Sequence, residues 1–371
     1  MATGTGERRD PPETAGNPSP LRASDWEAYR AFAADRNRLL RERLARRLGA
    51  APLADALFEE LGHEGKHLRP ALTLASFSVF SGGLPPSAEC LAAAHALEVF
   101  HAFVLVHDDV IDRSDQRRGR PTFHRRLEER PGVPPETASH LAVVLGDILF
   151  GFAIGLLGEP GLEPTLVAPL QRFLAGVTED TGLGESLELT HLHEPLSAVG
   201  RDRIEEVYYL KTTRYTIEAP LWLGGRAAGA DPDDLGPLAD FARPIGLGFQ
   251  MENDLHEAAL PRDKFAARAY DFRTGVKTLF LRALHDSLDA QGRADLDRLL
   301  ARCASDPRAL GELHSLIHAT GALESFRQET EASFASAGDW IPASPYAAET
   351  KEGLRKLADF VFARRKHSEA E

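Results

Sequence analysis

The stretch from Leu91 to Val106 is rich in Ala, Leu, Val and Phe, lacks Gly and Pro, and runs straight into His107-Asp108-Asp109-Val110-Ile111-Asp112. An apolar run without breakers predicts a buried helix. Continued through Asp112, that helix places Asp108 and Asp112 one turn apart on one face. Carboxylates at the end of an apolar helix are costly unless something positive meets them. This feature constrains the fold most, because the chain must bury the helix and still bring a cation to its end.

Hard divalent cations suit such a pair. Mg2+ takes oxygen ligands and typically uses one or two carboxylates together with substrate phosphates. Arg117 and Arg118 follow closely, and a guanidinium fork matches a diphosphate and stays charged. The pattern therefore predicts a metal-bound diphosphate site. A solvated turn with surface ion pairs is the alternative.

At 371 residues the chain could hold two domains, since domains commonly run to roughly 100–200 residues. However, long Ala/Leu/Arg/Glu segments dominate, β-branched runs are scarce, and nothing marks a hinge. One all-α domain over 23–371 is expected, preceded by a polar, Pro/Gly-rich segment, 1–22, that reads as disordered. The net charge of −13 argues against a general nucleic-acid surface. Cys90 and Cys303 suggest neither a disulfide framework nor a zinc site, so a reducing cytoplasm fits. The N-terminus lacks the apolar core of a secretory signal, and no transmembrane segment is expected, because no uninterrupted apolar run approaches the roughly 20 residues required.

Taken in order, helices are expected from Ser24 or Asp25 to about Leu48, over Ala51–Leu61, and over Ala71–Phe80. The last follows the turn Gly62-His63-Glu64-Gly65-Lys66-His67-Leu68-Arg69-Pro70. Lys66 and Arg69 lie three apart at a helix start, where free N–H groups favour anions. Further helices are expected over His140–Leu157, Leu162–Leu192 and Arg203–Leu223, the last carrying the polar patch Lys211-Thr212-Thr213-Arg214-Tyr215. The next begins at Asp231-Pro232, kinks at Pro244, and ends in Gln250-Met251-Glu252-Asn253-Asp254-Leu255-His256-Glu257, a second oxygen-rich cluster. Together the two clusters could grip a diphosphate through several Mg2+ ions, up to three. Residues 258–274 read as a polar, mobile loop. Amphipathic helices are expected over Lys277–Leu288, Arg293–Cys303, Pro307–Thr320, Glu324–Ala337 and Ala347–Arg365.

In its motifs from Gly62 to about Thr278, the chain resembles the trans-isoprenyl diphosphate synthases, also called the polyprenyl synthetase family. The sequence Glu-Val-Phe-His-Ala-Phe-Val-Leu-Val-His-Asp-Asp-Val-Ile-Asp ending at Asp112, followed by Arg117-Arg118-Gly119, is very close to that family's first aspartate-rich motif. The resemblance implies an isoprenoid synthase-type helical bundle around a central apolar cavity, usually in a homodimer. It also implies Mg2+-dependent joining of an allylic diphosphate to isopentenyl diphosphate.

Carried onto this chain, the resemblance implies that Asp108 and Asp112 bind Mg2+, with Asp109 in support and Asn253, Asp254 and Glu257 facing them. Arg117 would contact the allylic diphosphate. Lys66, Arg69, His101 and Arg118 would hold isopentenyl diphosphate. Lys211, Thr212 and Gln250 would line the allylic side, with Lys211 near the departing diphosphate and Lys277 as a further contact. Phe103, five residues before Asp108, resembles the cavity floor of short-chain synthases that make geranylgeranyl diphosphate; fifteen- and twenty-five-carbon products stay open.

Several positions depart from the family pattern. Asn253 and Glu257 replace aspartates of the second motif, and a neutral Asn brings no charge to a metal. Glu64 and His67 replace a Gly and an Arg. Glu185 and Glu188 stand where Gln and Asp are usual. Lys277 is displaced by one position, which turns a helical side chain by about 100°. Alternatives to a synthase are therefore a class I terpene cyclase on the same scaffold and a non-catalytic regulatory subunit of a prenyl synthase.

Overall fold

The computed structural model describes residues 21–48, 67–117, 119–130 and 132–368. The expected helix Ala51–Leu61 and the residues Lys66 and Arg118 lie outside them, as does nearly all of segment 1–22. The described residues are almost wholly helical: α1 (Ala23–Leu48), α2 (Leu68–Phe80), α3 (Ala88–Ile111), α4 (Phe123–Glu128), α5 (Pro135–Leu156), α6 (Pro164–His191), α7 (Arg201–Tyr208), α8 (Ala219–Ala227) and α9 (Pro232–Leu235). After these come α10 (Leu238–Ala258), α11 (Arg262–Arg268), α12 (Tyr270–Thr274), α13 (Leu279–Ser287), α14 (Ala290–Cys303), α15 (Pro307–Ala319), α16 (Ala322–Ala343) and α17 (Ala348–Ser368). The strands among the described residues, β1 (Gln116–Arg117) and β2 (Arg120–Pro121), pair antiparallel with Gln116 opposite Pro121 and Arg117 opposite Arg120.

The chain divides into two compact units whose segments interleave: 1–171, 220–231 and 347–371 form one, and 172–219 with 232–346 the other. In the first unit α3 is the central element. Ser87 caps it, its side chain accepting from the Cys90 amide at 3.2 Å and satisfying one of the donors a helix start leaves open. Ala92, Ala93, Ala94, Ala96, Leu97, Val99 and Phe100 are fully buried, and burial of a Leu or Phe side chain is worth about 1.5–3 kcal/mol. α2 packs on α3 and also against α8. There Ser76 Oγ donates to the Leu221 carbonyl at 2.6 Å, and a Cβ on Gly224 would come within 2.3 Å of the Thr73 carbonyl oxygen. Only glycine permits that approach.

No uninterrupted apolar run of about 20 residues occurs, although α3 and α5 are each long and apolar enough to cross a membrane by length and composition alone. They pack against each other, and 56% of the α3 window is buried. Helical side chains interrupted by an occasional His or Gly still form a continuous apolar face, which a search for uninterrupted runs overlooks.

In the second unit α10 packs against α16, with Phe241 and Trp340 5.9 Å apart. α10 runs continuously through Pro244, whose carbonyl accepts from Ser333 Oγ at 3.0 Å. The stretch 258–274, expected as a polar loop, instead folds into α11 and α12. Phe265 and Phe272 are buried there with ring centroids 5.2 Å apart. Two aromatics and a few alanines anchor this segment, and its many charges hid them from a reading by composition.

Candidate active site

The first acidic cluster ends α3. Asp112 is its C-cap and Arg113, at φ 53°, takes the left-handed position beyond it. The Ser114 amide donates back to the Asp109 carbonyl at 3.0 Å and the Arg113 amide to Val110 at 3.3 Å. This paired pattern closes a helix and usually employs glycine at the left-handed residue. The chain then reverses through the β1–β2 hairpin, which returns Arg117 to the helix end. Its Nε donates to Asp109 Oδ1 and an Nη to Asp108 Oδ2, each at 2.8 Å. Burial opposes the Arg117 charge, but its bonds to Asp109 and Asp108 outweigh that and raise its pKa further. The sequence pattern assigns a metal to Asp108 and a diphosphate to Arg117; here the guanidinium, nine positions on, bonds Asp108 directly.

Asp108 and Asp112 stay in register on one face, the Asp112 amide bonding the Asp108 carbonyl at 2.8 Å. Hard carboxylate oxygens at that spacing fit Mg2+, which needs only one or two of them when a substrate supplies the rest. Asp109 points inward, with 4% exposure. Among the described residues no group of three or more His, Cys, Asp or Glu side chains forms a ready-made metal cage.

Arg69, buried, lies in the first turn of α2, and half-buried His101 stands two turns before Asp108 on α3. Phe103 lies within an aromatic group, its ring 4.6 Å from His107, 5.3 Å from Phe150 and 5.5 Å from Phe100. Phe150, on α5, has no motif to announce it in the sequence.

In the second unit Lys211 lies in a π-helical segment, Tyr209–Glu218, inserted between α7 and α8. The wider turn was not legible in the sequence, although such segments frequently mark functional sites. Lys211 Nζ binds Glu185 at 2.6 Å and Glu188 at 2.5 Å. The approach depends on Gly184, where a Cβ would lie 2.5 Å from the Lys211 amide nitrogen. Thr212 and Gln250 are half-buried.

The second acidic cluster is used differently. Asp254 is 5% exposed. Its Oδ2 accepts from Tyr208 Oη at 2.6 Å and from the Phe280 amide at 3.2 Å, while Tyr208 Oη accepts from the Leu279 amide at 3.1 Å. With Thr278 Oγ1 accepting from Leu281, three open donors at the start of α13 are satisfied. Burial pushes the Asp254 carboxyl well above its usual range against these bonds. Glu257 Oε1 accepts from the Asp271 amide at 2.8 Å; burial first, and the Asp271 charge second, push its pKa up to about 9. Asn253 donates to Gln250 Oε1 at 2.8 Å. In this arrangement Asp254 and Glu257 accept hydrogen bonds from protein donors and Asn253 bonds Gln250, so the three expected metal ligands are engaged within the fold. Lys277 turns to backbone carbonyls, Gly275 at 2.6 Å and Leu192 at 3.4 Å, and burial lowers its pKa.

Comparison with known proteins fits this architecture. The pattern described as Polyprenyl synthetase matches residues 51–317. The chain is 28% identical over 311 residues to the short chain isoprenyl diphosphate synthase of Methanothermobacter thermautotrophicus, covering 81% of this chain and 86% of that protein. It is 28% identical over 257 residues to the geranylgeranyl diphosphate synthase of Methanosarcina mazei, covering 65% and 73% respectively. Among solved structures it is similar to a geranylgeranyl pyrophosphate synthase from Corynebacterium glutamicum complexed with isoprenyl diphosphate and magnesium. That match has a TM-score of 0.76 and 25% identity over 91% of this chain and 98% of the other. With its all-α fold of the isoprenoid synthase type, the chain belongs to the polyprenyl synthetase family of trans-isoprenyl diphosphate synthases.

Proposed function

We propose that this prenyltransferase condenses isopentenyl diphosphate with an allylic diphosphate to form geranylgeranyl diphosphate. The observation that carries the reading is the first cluster: Asp108 and Asp112 on one helix face, with Arg117 bonded to Asp108 and Asp109 at 2.8 Å. The relatives named as short-chain and geranylgeranyl diphosphate synthases support the substrate class and chain length, and Phe103, backed by Phe150, supports a short product.

Asp108 and Asp112, aided by Asp109, would hold Mg2+. When bound, it would neutralise charge developing on the leaving diphosphate. Arg117 and Lys211 are fixed cations, and each would stabilise diphosphate charge without reorganising. Arg69 and His101, with Lys66 and Arg118 by family position, would orient isopentenyl diphosphate. Thr212 and Gln250 would flank the allylic group, and apolar surroundings would protect a carbocation from water. Mg2+ is supported by the donor set and by the magnesium in the Corynebacterium structure.

Residues 23–371 are read as one domain, because the family match crosses both units. A homodimer is supported by α5, whose Val143 and Val144 are 37% and 55% exposed on an otherwise apolar helix. Free Cys90 and Cys303 suit a cytoplasmic location.

The test is incubation of the purified protein with Mg2+ and geranyl or farnesyl diphosphate, each with and without isopentenyl diphosphate, followed by analysis of diphosphates and extracted hydrocarbons. Elongation requiring isopentenyl diphosphate and stopping at twenty carbons is expected. Hydrocarbon formed without it would establish a cyclase, and turnover only beside a second protein would establish a subunit role. In the same assay Phe103→Ala should lengthen the product; an unchanged distribution would remove Phe103 from the floor.

A further inference from the structure

Glu98 lies on α3 one turn before His101 and on the same face. Its side chain is 20% exposed, and its Oε1 lies 3.0 Å from Nδ1 of His67. His67 is the residue immediately before α2 and holds φ 43° and ψ 41°, a left-handed conformation that a non-glycine residue keeps only when its surroundings enforce it. Its imidazole is bonded by Glu98 and stands edge-on to the Tyr29 ring, with centroids 6.3 Å apart.

Burial alone would raise the Glu98 carboxyl; the His67 hydrogen bond and the charges of His67 and Arg69 outweigh it and leave the pKa lowered. The other imidazole nearby, His95, bonds Asn37 Oδ1 at 2.9 Å, and burial lowers it to about 4. Its charge is the last and smallest of the influences on Glu98. Glu98 is thus an anion facing two groups at the start of α2: His67, which it bonds, and Arg69, whose charge it feels.

We infer that Glu98 is a positioning residue for isopentenyl diphosphate, holding through His67 the left-handed turn from which α2 and its Arg69 begin. This rests on the reading of Arg69 as a contact for that substrate. If the bond is lost, His67 can relax toward an ordinary conformation, and the first turn of α2 reorients with it. His101 and the first acidic cluster, fixed on α3 itself, stay in place. The departure from the family's usual Arg at position 67 thereby gains a physical reason, since an imidazole is short enough to bond Glu98 from a left-handed backbone.

The test compares Glu98→Gln, which keeps shape and removes charge, with His67→Ala, which removes the imidazole that bonds Glu98 and has no preference for the left-handed region. KM for isopentenyl diphosphate should rise about tenfold in both, with kcat and KM for the allylic diphosphate within about twofold. The double variant should be no worse than the poorer single one, because both break one linkage. Calorimetric titration of each variant with isopentenyl diphosphate should show the same loss without turnover. An unchanged KM for isopentenyl diphosphate, an equal rise in both KM values, or an additive double variant would overturn the inference. A wild-type protein that fails to elongate at all would instead sink the functional reading beneath it.

Discussion

The two acidic clusters look alike in sequence and are held by different kinds of partner. Each ends a long apolar helix with carboxylates at i and i+4 or its near neighbours. At the end of α3, Asp108 meets a side-chain cation, the Arg117 guanidinium at 2.8 Å on a short hairpin. At the end of α10, Asp254 meets Tyr208 and the Phe280 amide, partners belonging to the helix framework. A carboxylate whose partner is another side chain differs from one that satisfies backbone donors, because loss of the second leaves those donors open.

The largest effect expected from this contrast is on Asp108→Ala. Turnover should fall by about 10³-fold or more, as when a group stabilising transition-state charge is removed, while the thermal midpoint moves little. Near-normal activity would end the metal assignment. Asp254→Ala should do the reverse in stability: it strands a buried tyrosine hydroxyl and an amide, and should cost about 2–4 kcal/mol in urea unfolding. If Asp254→Ala unfolds at the wild-type urea concentration, the two clusters do not divide the work between chemistry and fold.

How much of this could be read from residues alone follows the same division. The α3 cluster was legible because its chemistry is local: an apolar run, carboxylates one turn apart, and arginines a few positions on. Tyr208 lies 46 positions from Asp254, and the Phe280 amide 26, so nothing in the spacing of 250–257 foretold that Asp254 would be consumed. The same holds for Glu98, whose partner at His67 is 31 residues away. The π-helical turn at Lys211 and the burial of Phe265 and Phe272 were likewise settled by packing, which overrides local pattern. Periodicity located nearly every long helix, since its period is written in consecutive side chains.

A smaller effect sharpens the comparison at Lys211, the cation in the second unit held by its own carboxylates. Glu185 and Glu188 flank its ammonium at 2.6 and 2.5 Å, whereas Arg117 shares its charge between Asp108 and Asp109. Glu185→Gln removes one of these anions without changing shape and leaves Lys211 more of its charge for an incoming diphosphate. A decrease in Kd for the allylic diphosphate of about three- to tenfold is expected, the equivalent of roughly 1 kcal/mol of charge interaction in a partly screened site. Calorimetric titration reads it directly; a weaker Kd would mean that Glu185 orients Lys211 instead of restraining it.

The smallest effect concerns how α3 is closed. Arg113 occupies a left-handed position, φ 53°, in a helix ending where glycine is the usual choice. Its backbone supports the Asp109 carbonyl through Ser114, just beneath the carboxylates. A glycine there removes the Cβ penalty of the left-handed region, offset in part by the greater freedom of the unfolded chain. Arg113→Gly should therefore stabilise the protein by about 0.5–1 kcal/mol and leave kcat unchanged, because the hydrogen bonds that fix Asp108 and Asp112 come from the backbone. Greater stability with lower kcat would mean that the arginine side chain itself takes part at the helix end, adding a second guanidinium to the first cluster.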